Sequence, residues 1–227
     1  MQAKLSIVAT PIGNLEDITF RAIRVLKECD LILCEDTRVT KKLLARYDIH
    51  TPTRSYHAHS GPAVYDTILE QLREGKWLAL VSDAGTPAVS DPGAHLVATV
   101  RKELGEDVQI EPIPGPSAVL SALSVSGAGA DTFTFFGFPP HKKGRKTFFE
   151  HVSASPYTAV LFESPHRIIK TLDTLQLSLA PHRTVTVCRE LTKMHEQTVT
   201  GSAAEVAAWF HEHPERVRGE FVVVIRT

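Results

Sequence analysis

Glu35-Asp36-Thr37-Arg38 sets two carboxylates beside a guanidinium. In that arrangement Asp36 or Glu35 can take up a proton while Arg38 holds an anion such as a phosphate. The same four residues also suit the start of a helix, with a capping carboxylate and an internal ion pair. Asp83-Ala84-Gly85-Thr86-Pro87 offers different chemistry. A carboxylate there can pair with a cationic ligand or accept ribose hydroxyls, Gly85 removes side-chain bulk, and Thr86 adds a hydroxyl. Its plainer reading is a tight turn with Asp83 capping a helix. His141-Lys142-Lys143-Gly144-Arg145-Lys146 is the one dense basic run, and Phe133-Thr134-Phe135-Phe136-Gly137-Phe138 precedes it directly. Cations there suit phosphates and a ring suits a nucleobase. Otherwise the phenylalanines are strand core and the loop is merely solvated.

Several chemistries have no sequence support. There is no Gly-x-Gly-x-x-Gly, no phosphate-binding Gly-Lys-Ser/Thr loop and no Gly-x-Ser-x-Gly, so dinucleotide, kinase and serine-hydrolase readings lose their fingerprints. His57-Ala58-His59 and His211-Glu212-His213 have i, i+2 spacing without further ligands, and no metal is expected. Cys29, Cys34 and Cys188 are unevenly spaced and read as small buried hydrophobes rather than a disulfide framework.

The elements that must position these residues alternate short apolar runs with amphipathic stretches, an α/β pattern. Strands are expected at Leu5–Ala9, Asp30–Cys34, Trp77–Val81 and Val108–Ile110, with Trp77–Val81 apolar throughout, as a central parallel strand should be. Helices are expected over Thr19–Glu28 (with Phe20, Ala22, Ile23 and Leu26 at helical spacing), Thr40–Tyr47, Ala63–Glu74 and Ala94–Leu104. Pro112-Ile113-Pro114-Gly115-Pro116 should break regular structure and divides the chain into domains at 1–113 and 114–227. The second half reads as helix Ser117–Val125, strand Thr132–Phe136, the basic loop, strand Ala159–Phe162, helix Arg167–Leu179, strand Val185–Cys188, helix Ala203–Glu212 and strand Phe221–Ile225. The polar, Gly/Pro-rich loops after the first four strands fall at strand carboxyl ends, where open α/β sheets bind ligands.

A net charge of −1 excludes a uniformly basic nucleic-acid coat, so a polyanion must be met by a local patch. No apolar run approaches the ~18 residues a membrane span needs. Met1-Gln2-Ala3-Lys4 carries no signal-peptide pattern, and a cytoplasmic protein is expected.

Taken in order, Thr10-Pro11-Ile12-Gly13-Asn14-Leu15, Asp17-Ile18-Thr19, Glu35-Asp36-Thr37-Arg38, Val81-Ser82-Asp83-Ala84-Gly85-Thr86-Pro87 with Ser90-Asp91-Pro92-Gly93, Pro114-Gly115-Pro116-Ser117-Ala118, Glu163-Ser164-Pro165-His166-Arg167 and Arg189-Glu190-Leu191-Thr192-Lys193 form a recognisable set. It closely resembles the ribosomal small-subunit RNA (cytidine-2′-O)-methyltransferase I family, a branch of the tetrapyrrole methylase superfamily. The resemblance spans about residues 5 to 226. Longer members of that family continue past the strand at Gly219-Glu220 into a small helical tail.

The resemblance implies a two-domain α/β tetrapyrrole-methylase-like fold, with a mostly parallel N-terminal sheet and a mixed α/β C-terminal domain. It implies a homodimer, with S-adenosyl-L-methionine in the cleft between domains. By superfamily position the cofactor contacts are Pro11, Asp83, Thr86, Ser117, Ala118, Phe162, Leu191 and Gly219. The implied reaction is methylation of a cytidine 2′-hydroxyl in 16S rRNA near the decoding site, within the small ribosomal subunit. A ribose hydroxyl needs a base or an alkoxide-stabilising cation. Asp36 and Glu163 are the candidate bases; Arg38, Arg167 or Lys193 would hold phosphate or oxyanion, and Lys142, Lys143 and Arg145 would bind RNA. The alternatives are a methylase of corrinoid or porphyrin precursors, a diphthamide-type protein methylase, and a non-catalytic RNA- or nucleotide-binding module.

Overall fold

The computed structural model describes residues 2–57 and 60–227, so Ala58 and His59 of the first histidine pair, and Met1, lie outside the described residues. The chain divides into two compact units, Met1–Ser117 and Ala118–Thr227.

The first unit runs β1 (Ala3–Val8), α1 (Phe20–Glu28), β2 (Leu31–Cys34), α2 (Thr37–Arg46), β3 (Thr53–Ser55), α3 (Pro62–Arg73), β4 (Trp77–Val81), α4 (Gly93–Leu104) and β5 (Val108–Ile113). Its five strands are all parallel, in the order β3-β2-β4-β1-β5, with Leu5 opposite Leu78 on one side and Ile110 on the other. Alternation splits β1, β2, β4 and β5 between two apolar cores. Leu78 and Leu80 pack with Ile68, Leu72, Leu96 and Val100 from α3 and α4, whereas Ala79 and Val81 pack with Val25, Leu26, Leu43 and Leu44 from α1 and α2. The strands are therefore fixed from both faces, and their carboxyl-end loops hang from a rigid edge.

Three boundaries depart from the sequence expectation for local reasons. Phe20 does not join the buried face of α1: it is 93% exposed, because it lies about 200° around the helix from Ala22, whose stripe with Val25 and Leu26 faces the core. Helix α2 begins at Thr37 rather than Thr40, since Asp36 accepts the Arg38 N–H and caps the helix three residues earlier. Strand β5 continues through Pro112 to Ile113; it is an edge strand paired only with β1, where a missing donor costs little.

The second unit runs α5 (Ala118–Ser126), β6 (Phe133–Phe135), α6 (Arg145–Ala154), β7 (Thr158–Glu163), α7 (Ile168–Ser178), β8 (Thr184–Arg189), β9 (Gln197–Ser202), α8 (Ala203–Glu212) and β10 (Phe221–Ile225). Its sheet is mixed, in the order β6-β7-β10-β8-β9: β6 and β7 are parallel, and the other three pairs are antiparallel. Helices α6, α7 and α8 bury Phe149, Leu172, Leu175 and Phe210 against Leu161, Val187 and Val223. A parallel first sheet and a mixed second one match the expected fold class. Among the described residues no helix is long and apolar enough to cross a membrane.

Candidate active site

Four loops of the first unit are tied together at the carboxyl edge of its sheet. Thr10 and Gly85 exchange backbone hydrogen bonds of 2.9 and 3.0 Å, joining the loops after β1 and β4. The Thr10 hydroxyl donates to the Ser82 carbonyl at 3.1 Å, and the Thr86 hydroxyl donates to the Pro116 carbonyl at 3.1 Å, which adds the segment after β5. The Asp36 N–H donates to Asp83 Oδ1 at 3.0 Å, which adds the loop after β2. Gly85 stands at φ +81°, and a methyl there would touch Ile12, so the turn suits a residue without a side chain. The next turn is shaped by Asp91, whose Oδ1 accepts the N–H groups of Ala88 at 2.8 Å and Gly93 at 2.7 Å. Those bonds hold Ala88 and Ser90 at φ +69° and +62°. Of the expected cofactor contacts, Pro11, Asp83, Thr86 and Ser117 all belong to these loops.

The carboxylates of this edge are not equivalent. Asp36 is locked: Arg38 donates to it through Nε (3.1 and 3.2 Å), Nη2 (2.6 Å) and its backbone N–H (2.8 Å). The Arg38 side-chain and backbone donors hold the Asp36 pKa down at about 2. A carboxylate so stabilised is a poor proton acceptor, so the geometry assigns Asp36 to holding Arg38 in a fixed pose. The Arg38 side chain is 87% exposed with its guanidinium fork anchored along one edge, which leaves Nη1 for an anion. Glu35 is the contrasting case. Partial burial, and then the negative charges of Asp83 and Asp91, push its pKa up, and among the described residues it has no ion-pair partner. A small recess beside Glu35 is lined by Tyr56, Ser82 and Asp91.

In the second unit the other candidate base, Glu163, sits in a different setting. Glu163 ends β7 with its side chain 0% exposed, caught between Arg167 Nε at 3.0 Å and Arg145 Nη1 at 3.8 Å. It also accepts the Ser164 N–H at 2.8 Å and the Thr171 hydroxyl at 2.6 Å. Both Glu163 carboxylate oxygens are thus already engaged within the protein. Arg145, expected on the basic loop, is buried at the first turn of α6. Arg167 is spent on Glu163 and on the Ser164 hydroxyl and Pro139 carbonyl. Lys193 bridges Glu190 and Glu220, at 2.9 Å to each, so its charge is already matched. Lys142 and Lys143 remain exposed on the loop before α6.

The phenylalanines of that region are only half core. Phe135 and Phe162 meet edge to face, Phe162 lies 5.3 Å from the Phe138 ring, and Phe138 is 52% exposed. Leu191 is buried in a turn where Glu190 and Thr192 stand at φ +51° and +66°. Glu190 Oε1 accepts Lys193 Nζ and the Glu220 N–H, at 2.9 and 3.0 Å. Burial opposes ionisation of Glu190, but those donors outweigh it and its pKa falls. Gly219, at φ +83°, leaves the space the Glu190 carboxyl fills. Asp91 and Glu190 are the organising residues that sequence reasoning did not single out. The Asp-Pro-Gly turn signal was available for the first. His211 pairs with Asp173, and His213 stacks on Trp209; among the described residues no cluster of three or more potential metal ligands occurs.

The fold and these loops define a class. Residues 4–207 match the family model of the tetrapyrrole (corrin/porphyrin) methylases. Solved structures agree: a cobalt precorrin-4 methyltransferase superposes with a TM-score of 0.69 at 20% identity, covering 99% of this chain and 95% of that one. A uroporphyrin-III C-methyltransferase from Thermus thermophilus, complexed with S-adenosylhomocysteine, gives 0.66 at 19% identity over 98% and 97%. Sequence relatives narrow the class. The ribosomal RNA small subunit methyltransferase I of Halalkalibacterium halodurans is 46% identical over 97% of this chain and 75% of its own length. The proteins of the same name from Escherichia coli O157:H7 and Bacillus subtilis are 43% and 44% identical, covering 99% and 97% of this chain and 78% and 74% of theirs. The chain belongs to the ribosomal RNA small subunit methyltransferase I family of the tetrapyrrole methylases.

Proposed function

We propose that the protein transfers a methyl group from S-adenosyl-L-methionine to the 2′-hydroxyl of a cytidine in 16S rRNA, near the decoding site of the small ribosomal subunit. The observation that carries this reading is the 46% identity to a ribosomal RNA small subunit methyltransferase I, sustained over 97% of the chain. The family resemblance adds a homodimer as the working form and the cytoplasm as its place.

The residues of the first unit fit the cofactor. Gly85 gives backbone access without a side chain, and Asp83 uses only Oδ1 on Asp36, leaving Oδ2 for a hydroxyl or cationic group. Pro11, Asp83, Thr86 and Ser117 would hold it; Ala118, Phe162, Leu191 and Gly219 carry the same assignment in the second unit. When bound, the cofactor supplies an electrophilic methyl, so the protein's work is positioning and proton management. Glu35 takes the proton of the ribose hydroxyl: partial burial, and then repulsion from Asp83 and Asp91, makes it the more basic carboxylate of its loop. Arg38, oriented by Asp36, holds the neighbouring phosphate. Lys142 and Lys143 meet further phosphates.

Tritiated methyl transfer to small subunits from a strain lacking this modification tests the reading. Label in one cytidine ribose is expected. No label, under conditions where an Escherichia coli relative labels the same subunits, defeats it.

A further inference from the structure

We propose that Glu163 is a positioning residue: through Arg145, Arg167 and Thr171 it fixes the loop from Gly137 to Gly144, so that Phe138, Lys142 and Lys143 meet an RNA strand as a preformed surface. The RNA end of this inference rests on the function proposed above.

The loop has an anchoring problem that its sequence creates. Pro139 and Pro140 have no N–H to donate, so the chain can be held there only through carbonyls. The two guanidiniums that clamp Glu163 supply the donors. Arg167 Nη1 donates to the Pro139 carbonyl at 2.8 Å, and Arg145 Nη1 donates to the Pro140 carbonyl at 3.3 Å. Arg145 Nη2 donates to the Thr171 hydroxyl at 2.7 Å, and that hydroxyl donates on to Glu163. On the near side, the Phe162 N–H donates to the Gly137 carbonyl at 3.0 Å, and the Phe138 ring rests against Phe162. The stem before the loop tip is thus held by β7, by Arg167 ahead of α7 and by Arg145 at the start of α6, while His141, Lys142 and Lys143 stay exposed.

Stability alone does not account for this arrangement. A buried carboxylate between two cations is often no more stabilising than apolar side chains of the same volume. Here Arg145 Nε is buried without a hydrogen-bond partner among the described residues, and burial lowers the Arg145 pKa. What the network does provide is direction. Arg167 points Nε at Glu163 and Nη1 at the Pro139 carbonyl, while Arg145 sets Nη1 between Glu163 and the Pro140 carbonyl and Nη2 on Thr171. Removing the central charge leaves two buried guanidiniums repelling each other across the loop stem. A strand of phosphates and bases gains from a surface whose ordering cost is already met.

The test uses the full chain with Glu163→Gln, the milder Thr171→Val (which keeps every charge but cuts the hydroxyl relay), and Lys142→Ala/Lys143→Ala. Trypsin nicking after Lys142 and Lys143 is followed in the free protein, and methyl transfer to small subunits is followed against subunit concentration. Glu163→Gln is expected to speed nicking and raise KM for subunits about tenfold, with kcat at saturation within about twofold and its pH profile unmoved. Thr171→Val should act in the same direction by about threefold. In the double-lysine background Glu163→Gln should raise KM by clearly less than it does alone, since two of the three side chains it positions are gone. That non-additivity is not expected of a residue that merely supports folding. If Glu163→Gln does not fold, Thr171→Val decides alone. The proposal is overturned by unchanged nicking and KM, by full additivity with the lysine changes, or by a kcat loss that alters the pH profile. If wild-type protein labels no subunits, the functional reading fails, while the nicking assay still decides whether Glu163 anchors the loop.

Discussion

Gly219→Ala should destabilise the second unit far more than an alanine at a glycine of the same φ elsewhere in that unit. Gly144 supplies the match: its φ is +82° against +83° at Gly219, and a methyl on it would meet nothing within 4 Å. Alanine at either position adopts a left-handed conformation, at a cost of roughly 1–2 kcal/mol. At Gly219 the methyl also occupies the volume of the Glu190 carboxyl. That carboxyl must swing away and give up its bonds from Lys193 Nζ and the Glu220 N–H. Hydrogen bonds to a charged group are worth about 1.5–3 kcal/mol, so losing even one brings the total for Gly219→Ala to roughly 3–5 kcal/mol. Urea unfolding in a Trp77→Phe background, with Trp209 fluorescence reporting on the second unit, measures both variants. The expected result is a gap of at least about 1.5 kcal/mol between them. Equal destabilisation would show that Gly219 is required only for its backbone angle and that the Glu190 carboxyl contributes nothing there.

Three further outcomes follow from the charges. Glu35→Gln should lower single-turnover methyl transfer by about 10²–10⁴-fold, the usual range for a lost general base. Because the folded pKa of Glu35 is raised, its ionisation opposes folding once pH climbs past the ordinary carboxylate value, so the same variant should be slightly more stable at neutral pH; a rate within twofold of wild type, roughly 0.4 kcal/mol, would remove Glu35 from the mechanism. For Asp36 the sign is reversed: its depressed pKa favours the fold above the ordinary aspartate value, and that contribution disappears as pH falls through about 2. Carboxyl NMR titration should place Asp36 there and show it rising toward the ordinary value in Arg38→Ala; no movement would mean the guanidinium is not the cause. Lys142→Ala/Lys143→Ala should weaken RNA binding and reduce the log–log salt slope by about 0.7–0.9 for each phosphate the lysines neutralise, whereas an unchanged slope would take both lysines off the RNA.

Much of the first unit was legible because its strands are buried on both faces. Trp77–Val81 reads as central and is central, and Thr19, the expected start of α1, is its cap. What escaped is what depends on partners far along the chain. Strand β3 has no apolar residue to announce it and exists only by pairing with β2. Strand β9 has Val199 as its sole large hydrophobe and forms against β8. Helix α6 opens with the last two residues of a basic run that composition assigns to solvent, yet Arg145 at its start is drawn inward by Glu163 and Thr171.

The same limit explains why the site was only partly legible. Motif reading offers a carboxylate with a cation nearby, as in the cap and ion pair expected of Glu35-Asp36-Thr37-Arg38, but not cations brought from elsewhere in the chain, such as Arg145. Asp36 and Glu163 share a loop or strand end with an arginine in sequence, and in space both are consumed by it: Arg38 in one case, Arg167 together with Arg145 in the other. Glu35 sits one residue from Asp36 and meets the opposite environment, facing Asp83 and Asp91 with no ion-pair partner among the described residues. Proton uptake favours the carboxylate whose neighbours make its charge costly. On that physical ground Glu35 is the base we propose, with Asp36 and Glu163 proposed as the struts for Arg38 and the basic loop.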